Sequence, residues 1–391
     1  MPVARSIAEQ LERSSWIRRM FEEGARLKKE RGAENIFDFT LGNPEVEPPA
    51  LTLETLRRMV ERGIPGRHGY MPNPGFPEVR AAIADKLRRD TGLPFQAEHI
   101  CMTAGAAAAC NVILKSILDP DDEVILLAPF FAEYPFYVGN HGGRVVVVET
   151  DKDCLPDVEA IAAAITARTR AIILNTPNNP SGRVYPASVL RELEAMLTRL
   201  PSPPLVVSDE PYKKLVYDGQ TQTEVATYVS NSAICYSWSK AQALAGERIG
   251  FLALSPRLPD AAQIFAACAF ANRTLGFVNA PALWQLVMAE AADACVDVSA
   301  YQKKRDILCD GLARAGYDVR KPEGGYYVFL KSPIADDLAF VGLLLEQGVL
   351  AVPGTGFGRA GYVRLSMTVP MDTILRSLPG FERALREVRA R

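Results

Sequence analysis

Between about residue 75 and residue 255 the apolar positions follow two alternating rhythms. Val79, Ile83 and Leu87 recur every four residues, which predicts the buried stripe of a helix beginning near Pro77. A long alanine-rich stretch after Gly105 and a segment from Ala187 to about Leu200 follow the same helical period. Between and around them lie short runs of branched residues: Val124 to Leu127, Val145 to Val148, Ala171 to Leu174, Leu205 to Val207 and Ala233 to Tyr236. Continuous apolar runs joined by helices predict parallel strands covered on both faces. The expectation is a doubly wound α/β domain.

The ends of the chain read differently. Residues 1–45 hold one helical segment and then an extended, proline-containing approach. Residues 283–316 predict long helices, followed by two short strand candidates, YYVFL (326–330) and YVRLS (362–366). These segments predict one smaller α+β domain, with residues 1–45 as its N-terminal part and 283–391 as its C-terminal part. The large domain then spans 46–282. GFGRAG (356–361) matches the Gly-x-Gly-x-x-Gly pattern of dinucleotide sites, but a strand candidate follows it where that motif requires a helix. It is read as a glycine-rich turn.

Hydrophobic residues make up 48% of the 391 residues and charged residues 23%, the mix of an ordinary globular protein. A formal net charge of −2 gives no electrostatic reason to expect a nucleic-acid or membrane partner. No apolar run reaches the roughly 18 residues that span a bilayer. The start lacks the apolar core of a secretory signal, so the expected location is cytoplasmic. Seven cysteines, none in a Cys-x-x-Cys pair, are expected to be reduced. The three histidines are far apart, so no metal site is expected.

The chemistry concentrates just after successive strands, where ligands bind in open parallel sheets. AIILNTPNNPSG places Asn179 in a turn, LVVSDEPY places Asp209 and Tyr212, and AICYSWSK places Ser237, Ser239 and Lys240. Arg248 follows eight residues later in GERIGF. Each fragment has an ordinary reading too. Asn-Pro-Ser-Gly makes a good turn, Asp209 suits a helix cap, and the serines can satisfy strand-end backbone groups. Four such fragments in order, each at a strand's end, are poorly explained by accident.

NTPNNPSG, SDEPY and SWSKAQALAGERIG resemble the signature segments of the class I/II aminotransferases, enzymes of the fold-type-I pyridoxal-phosphate group. The similarity runs from about Asn35 to Met367. It implies that Lys240 carries pyridoxal 5'-phosphate as an imine and serves as the base at the substrate's α-carbon. It implies Asp209 at the cofactor's ring nitrogen, Asn179 and Tyr212 at its ring hydroxyl, and Phe131 stacked on its face. Ala104, Gly105 and Ala106, with Ser237, Ser239 and Arg248, correspond to the phosphate site. Many relatives place a polar side chain where Ala104 or Ala106 stands. Arg364 matches the arginine for the substrate α-carboxylate, with Gly42 and Asn179 beside it. Tyr70 resembles a tyrosine that reaches a neighbouring subunit's phosphate, which implies a homodimer.

The expected activity is therefore transfer of an amino group from an amino acid to a 2-oxo acid by a ping-pong cycle. A pyridoxal-phosphate β-lyase on the same fold is the alternative. A non-enzymatic regulator that senses the cofactor on this fold is the remaining alternative, and this chain shows no basic patch to suit DNA binding. Relatives that prefer dicarboxylates offer a second cation near Ala106, which has none. Arg67, Arg144 and Arg273 are other cations open to that role.

Overall fold

The computed structural model describes residues 3–4, 7–8, 11, 23–24, 26–30 and 32–390. The helical segment expected within 1–45 lies for the most part outside them. The described residues form two compact units. The larger comprises Pro44–Ser299 with Glu323–Gly325; the smaller takes the described residues of Met1–Asn43 together with Ala300–Pro322 and Tyr326–Arg391.

The larger unit is built on a seven-stranded sheet. In chain order its strands are β1 (Ile100–Thr103), β2 (Glu123–Ala128), β3 (Arg144–Glu149), β4 (Thr169–Asn175), β5 (Leu205–Asp209), β6 (Ser232–Ser237) and β7 (Gly250–Leu254). Their spatial order is β1-β7-β6-β5-β4-β2-β3. All neighbours pair in parallel except β7, which runs antiparallel to both β1 and β6. The five branched runs legible in the sequence are β2 to β6. Strands β1 and β7 add two that the apolar pattern had not marked.

Successive residues of each strand face opposite layers. Val124, Leu126, Ala171, Ile173, Val207, Ala233 and Cys235 pack with Val112 and Ile113 of the helix Ala106–Ile117. Ile125, Leu127, Ile172, Leu174 and Val206 face the other way, toward the helix Ala187–Leu197. On that second face Ile234, Tyr236, Phe251 and Ala253 meet Val79, Ile83 and Leu87 of the helix Pro77–Thr91. The helix 106–117 is buried around most of its surface, which is why its sequence is apolar nearly throughout. The edge strand β3 keeps an exposed Val147, as a strand paired on one side only can.

The smaller unit contains a three-stranded antiparallel sheet. Its strands are β8 (Tyr327–Lys331), β9 (Val352–Pro353) and β10 (Tyr362–Ser366), with β10 central. YYVFL and YVRLS are thus strands, as read. GFGRAG contributes a short turn of 3-10 helix, Gly354–Phe357, and a left-handed Gly358 ahead of β10. Among the described residues no helix is long and apolar enough to cross a membrane.

Two glycines set how tightly β1, β6 and β7 meet. A Cβ on Gly250 would collide with the Tyr236 carbonyl oxygen and lie 2.8 Å from the Gly105 Cα. Both obstacles are backbone and cannot move aside. Gly250→Ala is therefore expected to cost about 2 kcal/mol or more and to lower the melting temperature by several degrees. Gly139→Ala, with nothing within 4 Å of its Cβ, should change it far less. Thermal unfolding by circular dichroism compares the two.

Candidate active site

The antiparallel direction of β7 assembles the site. Its first residue, Gly250, pairs with Ser237 and Thr103, the last residues of β6 and β1. Arg248, just before β7, therefore arrives at the same edge where the parallel strands end. That edge gathers Ala104 and Gly105 after β1, Phe131 after β2, Asn179 after β4, Asp209 and Tyr212 at β5, and Ser237, Ser239 and Lys240 at β6.

Gly105 stands at φ 86°, where glycine alone is comfortable, and starts the helix 106–117 without any side-chain cap. The first-turn amides of such a helix have no partners within it and attract an anion. A Cβ on Gly105 would lie 2.8 Å from an Arg248 guanidinium nitrogen, so glycine lets that cation approach. Arg248 donates to Ala104 O at 3.1 Å and to Ala245 O at 2.8 Å, with Ser239 Oγ at 3.5 Å. Its backbone is held at φ 52°, a left-handed conformation rare for a side-chain-bearing residue. Ser237 caps the short helix Trp238–Ala241 by accepting from the Ser239 amide at 3.1 Å, and the two hydroxyls lie 2.6 Å apart. Lys240 sits in the first turn of that helix. One guanidinium, two hydroxyls and an uncapped helix start thus converge, which is the donor set that a phosphate needs.

Asp209 is the electrostatic centre of the edge. It is 6% exposed and its Oδ2 accepts from the Tyr134 hydroxyl at 2.6 Å. Its Oδ1 is buried with no partner. Burial pushes this carboxyl up from 3.8 to about 7; the Tyr134 hydrogen bond pulls the other way, and neighbouring Glu210 adds to the rise. A buried carboxylate short of one partner is suited to a cationic donor such as a protonated ring nitrogen.

Two residues of this arrangement escaped the sequence reading. Tyr134 stands three places after Phe131, and their rings meet edge to face at 5.5 Å. In APFFAEY it reads as one more core aromatic; its hydroxyl just beyond a strand end was the available clue. Asn175, the last residue of β4, donates to the Asp209 carbonyl at 2.9 Å and accepts from the Asn179 amide at 2.7 Å. It ties together the backbones of two expected site residues, and as a polar residue closing an apolar strand it was visible.

In the smaller unit, Arg364 lies on the central strand and is 9% exposed. Its guanidinium lies over the rings of Tyr327, at 4.2 Å, and Phe357, at 4.6 Å, and donates to Thr40 O at 2.8 Å. Stacking on two rings fixes the plane of the fork. A Cβ on Gly42 would meet the Tyr327 hydroxyl, so a larger residue there requires that ring to shift. Tyr70 is not gathered at the strand ends: it is 95% exposed and lines a separate hollow with Phe277 and Asn279. Arg144 begins β3, at the opposite edge of the sheet, and pairs with Asp121. That position removes it as a second cation for the site.

The family Aminotransferase class I and II matches residues 34–378. The aspartate/prephenate aminotransferase of Thermus thermophilus is 35% identical over 369 residues, covering 92% of this chain and 93% of that protein. A crystal structure of an amino transferase from Eubacterium rectale superposes with a TM-score of 0.95 at 37% identity, covering 99% of both chains. The Thermus thermophilus aspartate aminotransferase with maleate gives 0.82 at 32% identity, over 93% of this chain and 95% of that one.

The raised pKa of Asp209 has a consequence for the protein stripped of cofactor. The folded carboxyl titrates above the unfolded one, so ionisation is disfavoured in the fold. Stability falls as pH rises from about 4 toward about 7 and stays low above it. Asp209→Asn lacks that penalty, so at pH 8 the cofactor-free variant should be more stable than the parent by a few kcal/mol. The gap should close near pH 4. Urea unfolding at both pH values measures it; an equal gap at the two would show that Asp209 does not titrate as described.

Proposed function

Because the chain belongs to the class I and II aminotransferases, enzymes that transfer amino groups, we propose that this edge of the sheet holds pyridoxal phosphate, the cofactor that the family implies. The observation that best supports the reading is the Asp209 carboxylate, buried with one oxygen tied to Tyr134 and the other without a partner. The proposed phosphate site consists of Arg248, Ser237, Ser239 and the helix start at Ala104, Gly105 and Ala106. Asn179 and Tyr212 are assigned to the ring hydroxyl and Phe131 to the ring face. Lys240 is the proposed point of attachment.

When bound, the cofactor supplies an aldehyde that accepts the amino group and a ring that accepts electrons. Asp209, as a carboxylate, holds a proton on the ring nitrogen and so keeps that ring electron-poor. Burial disfavours that negative charge, and the positive neighbour offsets the cost. Lys240 would be the base that takes the proton from the substrate's α-carbon. Arg364 grips the α-carboxylate with both prongs of its fork, and its two stacked rings prevent the fork from turning. Holding the carboxylate in one plane decides which bond at the α-carbon is presented for cleavage. The cycle is ping-pong: one amino acid leaves as its oxo acid, and a second oxo acid takes the amino group away.

For substrates, the name of the Thermus relative puts aspartate and prephenate first in line. The alanine-lined helix start supplies no side-chain cation to a distal carboxylate. Tyr70, exposed on the single chain, is proposed to act in a homodimer on a neighbouring subunit's phosphate.

Lys240→Ala should retain the fold by circular dichroism yet lose turnover. Arg364→Lys should raise KM for amino-acid donors at least ten-fold, because a point charge cannot reproduce the two-pronged grip. Unchanged saturation would remove Arg364 from substrate binding. Mixed with single amino acids and no oxo acid, the enzyme should aminate its cofactor once and stop. Continued release of ammonia and pyruvate would mark a lyase instead.

A further inference from the structure

A second cavity lies within the larger unit, on the other face of the sheet from Asp209. Tyr236 lines it and packs in the layer of Phe251 and the helix Pro77–Thr91, whereas its neighbour Cys235 faces the layer of Tyr134. The cavity measures about 550 Å³, within the roughly 300–1,000 Å³ of small-molecule sites.

Its polar groups are unusual. The Tyr236 hydroxyl is buried, on a side chain only 2% exposed, and has no partner. Burial raises its pKa, so the hydroxyl keeps its proton and is available as a donor. Gln222 donates from Nε2 to the Thr176 carbonyl at 2.9 Å, which fixes the amide and leaves a buried Oε1 without a donor. A buried donor and a buried acceptor left open each cost more than the same groups exposed to water. One ligand that carries both an acceptor and a donor satisfies the pair.

The charges around the cavity narrow its chemistry. Lys86, Lys213 and Lys214 are offset by Asp90, Glu224 and Asp293. Lys86 meets Asp90 at 2.5 Å and Asp293 at 2.9 Å, Lys214 meets Asp293 at 3.5 Å, and Lys213 binds Glu224. Just outside the lining, Glu210 meets Lys213 at 3.3 Å and Arg89 meets Asp293 at 3.0 Å, which adds one charge of each sign. The lining carries no formal excess of either sign, so a net anion or cation would bring uncompensated charge into a partly buried space. A zwitterion brings none. Leu87, Val216, Phe251 and Val298 add apolar surface to the lining.

We propose that this cavity binds an α-amino acid with an apolar side chain, its carboxylate accepting from Tyr236 and its ammonium donating to Gln222. The site is separate from the one proposed for the cofactor and does not depend on that assignment.

Calorimetric titration of the holoenzyme tests it. Excess aminooxyacetate is added first, because an aminooxy group condenses with the cofactor aldehyde and its carboxylate occupies the substrate's place. L-Leucine and L-methionine should then still bind saturably, one per chain. Tyr236→Phe and Gln222→Met should each weaken that binding at least ten-fold, with circular dichroism confirming their folding. 4-Methylpentanoate and isoamylamine, which lack the ammonium and the carboxylate respectively, should bind at least ten-fold more weakly. Absence of heat with both amino acids would show a cavity filled by water only and overturn the proposal. Undiminished binding in both folded variants, or equal binding of the acid or the amine, would overturn it as well.

Discussion

The arrangement turns on one buried carboxylate. Asp209 has a single strong donor, the Tyr134 hydroxyl, and burial disfavours its charged form enough to move its titration to about 7. A carboxyl in that setting gains from a positive group beside it. The proposed cofactor has a ring nitrogen that becomes such a group on protonation. Each of the two then stabilises the charge of the other, which is how one aspartate can hold a heterocycle in its electron-accepting form.

The topology explains how neighbouring groups reach that carboxylate. Five parallel strands and the outer β1 end at one edge, and the reversed β7 begins there. Reversal brings Arg248 from the start of a strand to the place where Ser237 and Thr103 finish. Gly105 and Gly250 then let backbone approach backbone, so the guanidinium sits against the helix start. In the smaller unit the same logic serves a different group, since Arg364 on a central strand is held flat by Tyr327 and Phe357.

The alternation of apolar runs and helical stripes made β2 to β6 and the helices after Pro77, Gly105 and Ala187 legible. Strand β1, Ile-Cys-Met-Thr, is only four residues long, and β7, Gly-Phe-Leu-Ala-Leu, has no β-branched residue. Neither resembles a strand until its neighbours are in place. Residues at strand ends were legible because polar side chains interrupt apolar runs there. Their roles came from resemblance, since spacing alone does not distinguish a cap from a ligand. Tyr134 was hidden because its work is done on Asp209 rather than on anything a motif records, whereas Asn175 was visible as a polar residue closing an apolar strand. The two-ring clamp on Arg364 joins residues far apart in sequence, which no local pattern contains.

The most direct measurement uses cofactor labelled with ¹⁵N in its ring. Nuclear magnetic resonance of the reconstituted enzyme near pH 8 should report a protonated ring nitrogen, and Asp209→Asn should report a neutral one. A neutral nitrogen in the unaltered enzyme, or a protonated one in both proteins, would contradict the pairing on which the account rests.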